Sequence, residues 1–112
     1  MKKTPEMLAQ QQLDAYNKQD LEEFLSVYSD DVLIMEFPSN AITTNGIEEM
    51  RVRYKKLFED HPNNHAELLA RIVHDNKVVD HELVTGRGNS EPKKAVAIYE
   101  MTEEKIAKVW FL

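Results

Sequence analysis

The chain has 112 residues, which is one domain at roughly 100–200 residues per domain. It holds no cysteine, so disulfides, thiolate catalysis and cysteine-ligated zinc are excluded, and a reducing, cytoplasmic setting is expected. With 14 Lys and Arg against 20 Asp and Glu, the formal charge of −6 argues against nucleic acid as a partner, and no apolar stretch approaches the roughly 18 residues of a membrane span.

Met1-Lys2-Lys3-Thr4-Pro5 has no apolar run behind it and does not read as a secretory signal. Thr4-Pro5-Glu6 predicts a helix start, with Thr4 as N-cap, Pro5 in the first turn and Glu6 at the positive dipole end. That helix is expected to run to about Asn17. Asp20-Leu21-Glu22-Glu23 has the form of a capping box, followed by a short helix with Leu21, Phe24, Leu25 and Tyr28 on one face. Ser29-Asp30-Asp31 stops it, and Val32–Phe37 reads as a strand closed by Pro38. Asn45-Gly46 is a turn, and Ile47-Glu48-Glu49 opens a third helix with Ile47, Met50, Tyr54, Leu57 and Phe58 on one side. Asp60-His61-Pro62-Asn63-Asn64 breaks it. Four strands are expected at about 65–74, 78–87, 94–101 and 106–112, broken at Asp75–Lys77, Gly88–Pro92 and Thr102–Glu104. Helices first and strands last argue an α+β fold, with helices on one face of an antiparallel sheet. A bent sheet of this kind leaves a pocket at its open end.

Candidate chemistry lies where polar residues fall in apolar places. Projected at 100° per residue, Gln12 sits in the middle of the apolar arc of the first helix. It is either a core glutamine bonded to backbone or water, or a polar group aimed into a cavity. Glu36 closes an apolar strand. There it is either a solvated strand end or, as favoured here, a pocket carboxylate with the raised pKa of a general acid or base. Asp80-His81-Glu82 interrupts an apolar strand, with the two acids on one face and His81 on the other. His61 and His65 have helical spacing, but Pro62 spoils the helix, so no metal site is expected. No G-x-S-x-G is present to support a serine nucleophile.

Several segments together resemble NTF2-like proteins: Gln11–Glu22, Tyr28-Ser29-Asp30-Asp31-Val32, Asn45-Gly46-Ile47-Glu48, and the closing Lys105–Phe111. Asp80-His81-Glu82 with Thr85-Gly86 is similar to the SnoaL-like, steroid Δ-isomerase-like bacterial members. The resemblance implies a cone-shaped α+β fold, with N-terminal helices in the concavity of a curved, mainly antiparallel sheet. It implies a cofactor-free isomerase, cyclase or dehydratase acting on a small apolar molecule. Ketosteroid isomerase sets an Asp base against a Tyr and a protonated Asp. By position these correspond to Glu36, Gln12 and Ala97, so one oxyanion donor is lost, another is weakened, and standard ketosteroid isomerisation is expected to be absent or slow. Glu36, Gln12 and Asp80 are the expected catalytic residues, with Tyr16, Tyr54, Glu82, Tyr99 and Phe111 around the ligand. The alternatives are a non-catalytic carrier of a small hydrophobic ligand, or a dimerising module with a vestigial pocket. The same alignment turns Val79, His81, Leu83, Ile98 and Trp110, with Val96, Ile106 and Leu112, to the outer sheet face, where a homodimer contact is expected.

Overall fold

The computed structural model describes residues 3–88 and 91–112. Met1, Lys2 and the Asn89-Ser90 part of the break at Gly88–Pro92 lie outside the described residues. The elements are α1 (Pro5–Lys18), α2 (Leu21–Ser26), β1 (Tyr28–Glu36), β2 (Ile42–Asn45), α3 (Ile47–Asp60), β3 (His65–His74), β4 (Lys77–Thr85), β5 (Lys93–Thr102) and β6 (Lys105–Phe111). Six strands form one sheet in the order β2-β1-β6-β5-β4-β3.

The helix ends obey local chemistry. The Thr4 side chain accepts from the Met7 amide, and α1 ends where Gln19 adopts a left-handed φ of 58°. Asp20 caps α2 by accepting from the Glu23 amide. The return half of the predicted capping box is missing, because Glu23 Oε1 instead accepts from Gln11 Nε2 on α1 at 2.9 Å. Tyr28 opens β1 rather than completing α2. Ser29–Asp31 lie within β1, where its pairing with β6 slips between Tyr28 and Leu33.

Two features depart from the sequence reading. The short strand β2 was not anticipated, and the β1–β6 pair is parallel, so the sheet is mixed. Ile106 is also not on the outer face. A register shift between Glu100 and Met101 breaks the alternation of β6, and Ile106 is fully buried together with Val109.

The helices fill the concave side, where Leu8, Phe24, Ile34, Met50, Val78 and Val109 are essentially inaccessible to water. Asn17 ties α1 to edge strand β3. Its side chain donates to the Ala66 carbonyl at 2.9 Å and accepts from the Ala66 amide at 2.8 Å, as a neighbouring strand would. A bulge in β3 between Leu68 and Ala70 inserts an extra residue against β4. It reverses the alternation downstream, so that Arg71 shares a face with Asp80 across the ladder. Among the described residues no helix is long and apolar enough to cross a membrane.

Candidate functional site

A cavity of about 680 Å³ opens at the end of the cone away from the α1 start. Its inner wall is aromatic. Phe24 packs on Tyr54 with ring centroids 4.7 Å apart and on Tyr28 at 5.1 Å, and Tyr16 meets Tyr54 edge-on at 6.3 Å. These rings come from α1, α2, β1 and α3. The apolar helical spacing seen in the sequence is thus what builds the wall.

Gln12 and Tyr99 lie at the inner end. Gln12 Nε2 donates to the Ala9 carbonyl and to the Tyr99 hydroxyl, both at 3.1 Å, and Gln12 Oε1 accepts from the Tyr28 hydroxyl at 3.1 Å. Both readings of Gln12 therefore hold in part: it lines the cavity, and its amide is satisfied as in a core. Both amide hydrogens are already committed, so the expected donation to a ligand is not available from Gln12. The Tyr99 hydroxyl accepts from Gln12 and keeps its own proton to give.

The acid pair divides into two roles. Asp80 is fully buried, and both its oxygens are held by Arg71: Nε at 2.7 Å to Oδ1 and Nη2 at 2.9 Å to Oδ2. Arg71 Nη1 continues to Gln10 on α1 at 2.9 Å. Asp80 is thus engaged by Arg71 through both oxygens and is not among the residues that line the cavity, so the assisting role expected of it gives way to a structural one. Glu82, two residues along, is 8% exposed and lines the cavity. No side chain or backbone group among the described residues hydrogen-bonds its carboxylate. Burial pushes its pKa up to about 7, the Asp80 charge adds to the rise, and Arg71 opposes it.

The phenols nearby are also displaced. Burial raises Tyr54 to about 12 and also holds Tyr28 and Tyr99 well above the usual phenol range. All three are protonated at neutral pH and are hydrogen-bond donors there. No described residue engages the Tyr54 hydroxyl.

Glu36 is not in this cavity. It is exposed, in a shallow depression that also touches Thr44, Glu49, Arg53 and Phe111. The apolar body of β1 ends at Met35, and Phe37, expected as the last residue of the strand, is 50% exposed. The structure therefore brings together Gln12, Tyr16, Tyr54, Glu82, Tyr99 and Phe111, and leaves Glu36 and Asp80 out of the lining. Sequence reasoning missed Arg71, Arg53, Arg87 and Asn64. Two acids on one inward face require a counter-ion, and that requirement was the available signal for Arg71.

A family model described as the SnoaL-like domain matches residues 9–109. The chain belongs to the SnoaL-like domain family. No curated protein matches it. Among solved structures it is similar to an uncharacterized cystatin fold protein from Novosphingobium aromaticivorans, at 27% identity and a TM-score of 0.90 over 98% of each chain. It is also similar to a SnoaL-like polyketide cyclase from Agrobacterium tumefaciens (17% identity, TM-score 0.79, 98% of this chain and 91% of that one). A third is an NTF2-like protein of unknown function from Cytophaga hutchinsonii (12% identity, TM-score 0.82, 100% and 91%). The last two similarities establish the NTF2-like fold alone.

Proposed function

We propose that this SnoaL-like domain binds a small, mostly apolar molecule bearing a carbonyl or hydroxyl group, and that Glu82 moves a proton on it. The reaction class is isomerisation, cyclisation or dehydration by acid–base chemistry without a cofactor. The observation that carries the reading is Glu82: a buried carboxylate facing the cavity, without a hydrogen-bond partner among the described residues, and pushed by burial up to about 7. A base with that pKa accepts a proton and returns it at neutral pH without a large cost in either direction. The Tyr54 and Tyr99 hydroxyls lie in the same cavity and supply donors for an oxygen that gains negative charge as the proton leaves. They stand in for the donors that the resemblance to ketosteroid isomerase implies are weakened at Gln12 and lost at Ala97.

The reading moves the base from Glu36 to Glu82, and the experiment separates the two. A cyclic ketone with an acidic α-hydrogen, 2-tetralone, is incubated with the protein in D₂O near pH 7, where a base of this pKa is half ionised. Deuterium uptake at the α-carbon is followed by NMR. Wild type is expected to accelerate uptake, Glu82→Gln to abolish the acceleration, and Glu36→Gln to retain it. Acceleration that survives Glu82→Gln and dies with Glu36→Gln would reverse the assignment.

The same reading takes the chain as a homodimer through the outer sheet face. In support, all three helices occupy the concave side. Val79, Leu83, Ile98 and Trp110 stand half-exposed on the other side, beside His81 and the largely exposed Ile72.

A further inference from the structure

The mouth of the cavity carries a charge opposite to that of the chain. Lys56 is taken up by Asp60 at 2.6 Å. Arg53, Arg87, Lys93 and Lys94 then face Glu91 around the opening, in a protein whose formal charge is −6. The four arginines of the chain divide cleanly. Arg51 pairs with Glu22 and Arg71 with Asp80, both away from the mouth. Arg53 and Arg87 pair with no carboxylate among the described residues.

Both unpaired arginines are held in place by neutral groups. Arg53 Nη1 donates to Thr44 Oγ1 at 2.9 Å, and its guanidinium lies 5.4 Å from the Tyr54 ring centre and 5.9 Å from that of Phe111. Arg87 donates through Nε to Asn64 Oδ1 at 2.7 Å and through Nη2 to the Tyr16 hydroxyl at 3.2 Å. Asn64 is itself buried and donates to the same hydroxyl at 2.6 Å. Each guanidinium is therefore oriented, retains unused N–H groups, and keeps an unneutralised charge. An arginine fork fixed in this way is suited to a planar carboxylate.

We infer that the ligand of this cavity is an organic acid, with an apolar ring body in the aromatic interior and one carboxylate at the mouth, received by Arg53 and Arg87. The inference rests on the reading of the cavity as a small-molecule site and names its substrate class. The orientation follows from charge. A ligand carboxylate directed inward would meet Glu82, whereas one directed outward meets the arginines. The apolar end, with the C–H to be deprotonated, then lies toward Glu82.

The test compares 2-naphthoate with its neutral twin 2-naphthamide by isothermal titration calorimetry. Wild type is expected to bind naphthoate about tenfold more tightly, the effect of one good charge-assisted contact. The preference is expected to shrink between about 50 and about 300 mM salt, as exposed charges are screened. It is expected to fall further in Arg53→Gln and in Arg87→Gln, and to persist in Lys55→Gln, which removes an exposed charge from α3 away from the mouth. The two arginine side chains are largely exposed, so these variants retain the core, and the salt series needs no variant at all. Naphthamide binding as tightly as naphthoate overturns the inference and leaves the cavity reading standing. Absence of binding by either compound overturns both. A preference that survives loss of both arginines, or displacement of naphthoate by inorganic phosphate more readily than by benzoate, also overturns the carboxylate assignment.

Discussion

Replacing Arg71 by methionine removes the support of the buried acid pair. Two charge-assisted hydrogen bonds are lost, Nε to Oδ1 at 2.7 Å and Nη2 to Oδ2 at 2.9 Å, along with the bond to Gln10. The side chains of Arg71 and Asp80 are only 10% and 0% exposed, so water cannot replace the guanidinium. Removing one partner of such a pair costs about 3–5 kcal/mol, because a charge is left buried and alone. That is a large share of the roughly 5–15 kcal/mol that holds a domain of this kind together. Substituting both residues, Arg71→Met with Asp80→Leu, removes the stranded charge and is expected to recover most of the loss. Urea unfolding followed by circular dichroism on the four proteins of the cycle gives the coupling directly. Arg71→Met is further expected to raise the Glu82 pKa above about 7, since the Arg71 charge opposes that rise in the wild type. A single variant that loses less than about 1 kcal/mol, the range of an exposed pair, would refute the reasoning. So would a double variant whose loss is the sum of the two singles.

Glu82 makes stability depend on pH. Its carboxyl moves from 4.5 to about 7 on folding, so between those values the unfolded state releases a proton that the folded state keeps, and stability falls as pH rises. At about 1.4 kcal/mol per pKa unit, the cost above pH 7 is roughly 3 kcal/mol. Glu82→Gln is therefore expected to be more stable than wild type by up to that amount near pH 8 and similar to it near pH 4, while equal stability of the two proteins at both pH values would contradict the burial argument. Gly86 has φ +81°, and a Cβ there would stand 1.8 Å from the Asn63 carbonyl oxygen. Gly86→Ala is expected to cost at least about 2 kcal/mol in urea unfolding, from the left-handed backbone and the clash together, and a loss under about 0.5 kcal/mol would show the turn to be adaptable. Sedimentation at micromolar concentration is expected to show a dimer for wild type and a monomer for Trp110→Glu; a monomeric wild type removes the outer-face interface.

Much of this architecture was legible because it is local. The Thr4 and Asp20 caps, the apolar faces of α1 and α3, and the turns at Asn45-Gly46 and Asp75–Lys77 each follow from residues within a few positions of one another. β2 was not legible, since four residues, Ile42–Asn45, give too short a pattern, and it exists through its pairing with β1. The parallel β1–β6 contact joins residues 75 positions apart, as Leu33 to Lys108, and leaves no local trace. The site shows the same boundary. Alternation put Asp80 and Glu82 on one face and His81 on the other, and the structure shows the acids' face to be the buried one. Which of the two acids stays free depends on Arg71, and the facing of Arg71 depends on one extra residue in β3. No periodicity rule announces such a bulge. Glu36 misled because the apolar run before it was read as its surroundings, whereas burial along β1 stops at Met35 and Glu36, still paired with Phe111, is exposed.

The central claim is that the cavity holds a carboxylate able to take up and release a proton near neutral pH. Carbon-13 NMR of the glutamate side-chain carboxyl groups, titrated with pH and assigned by the signal lost in Glu82→Gln, measures it directly. A midpoint near 7 for Glu82 is the predicted result, and a midpoint at the ordinary 4.5 would contradict the account.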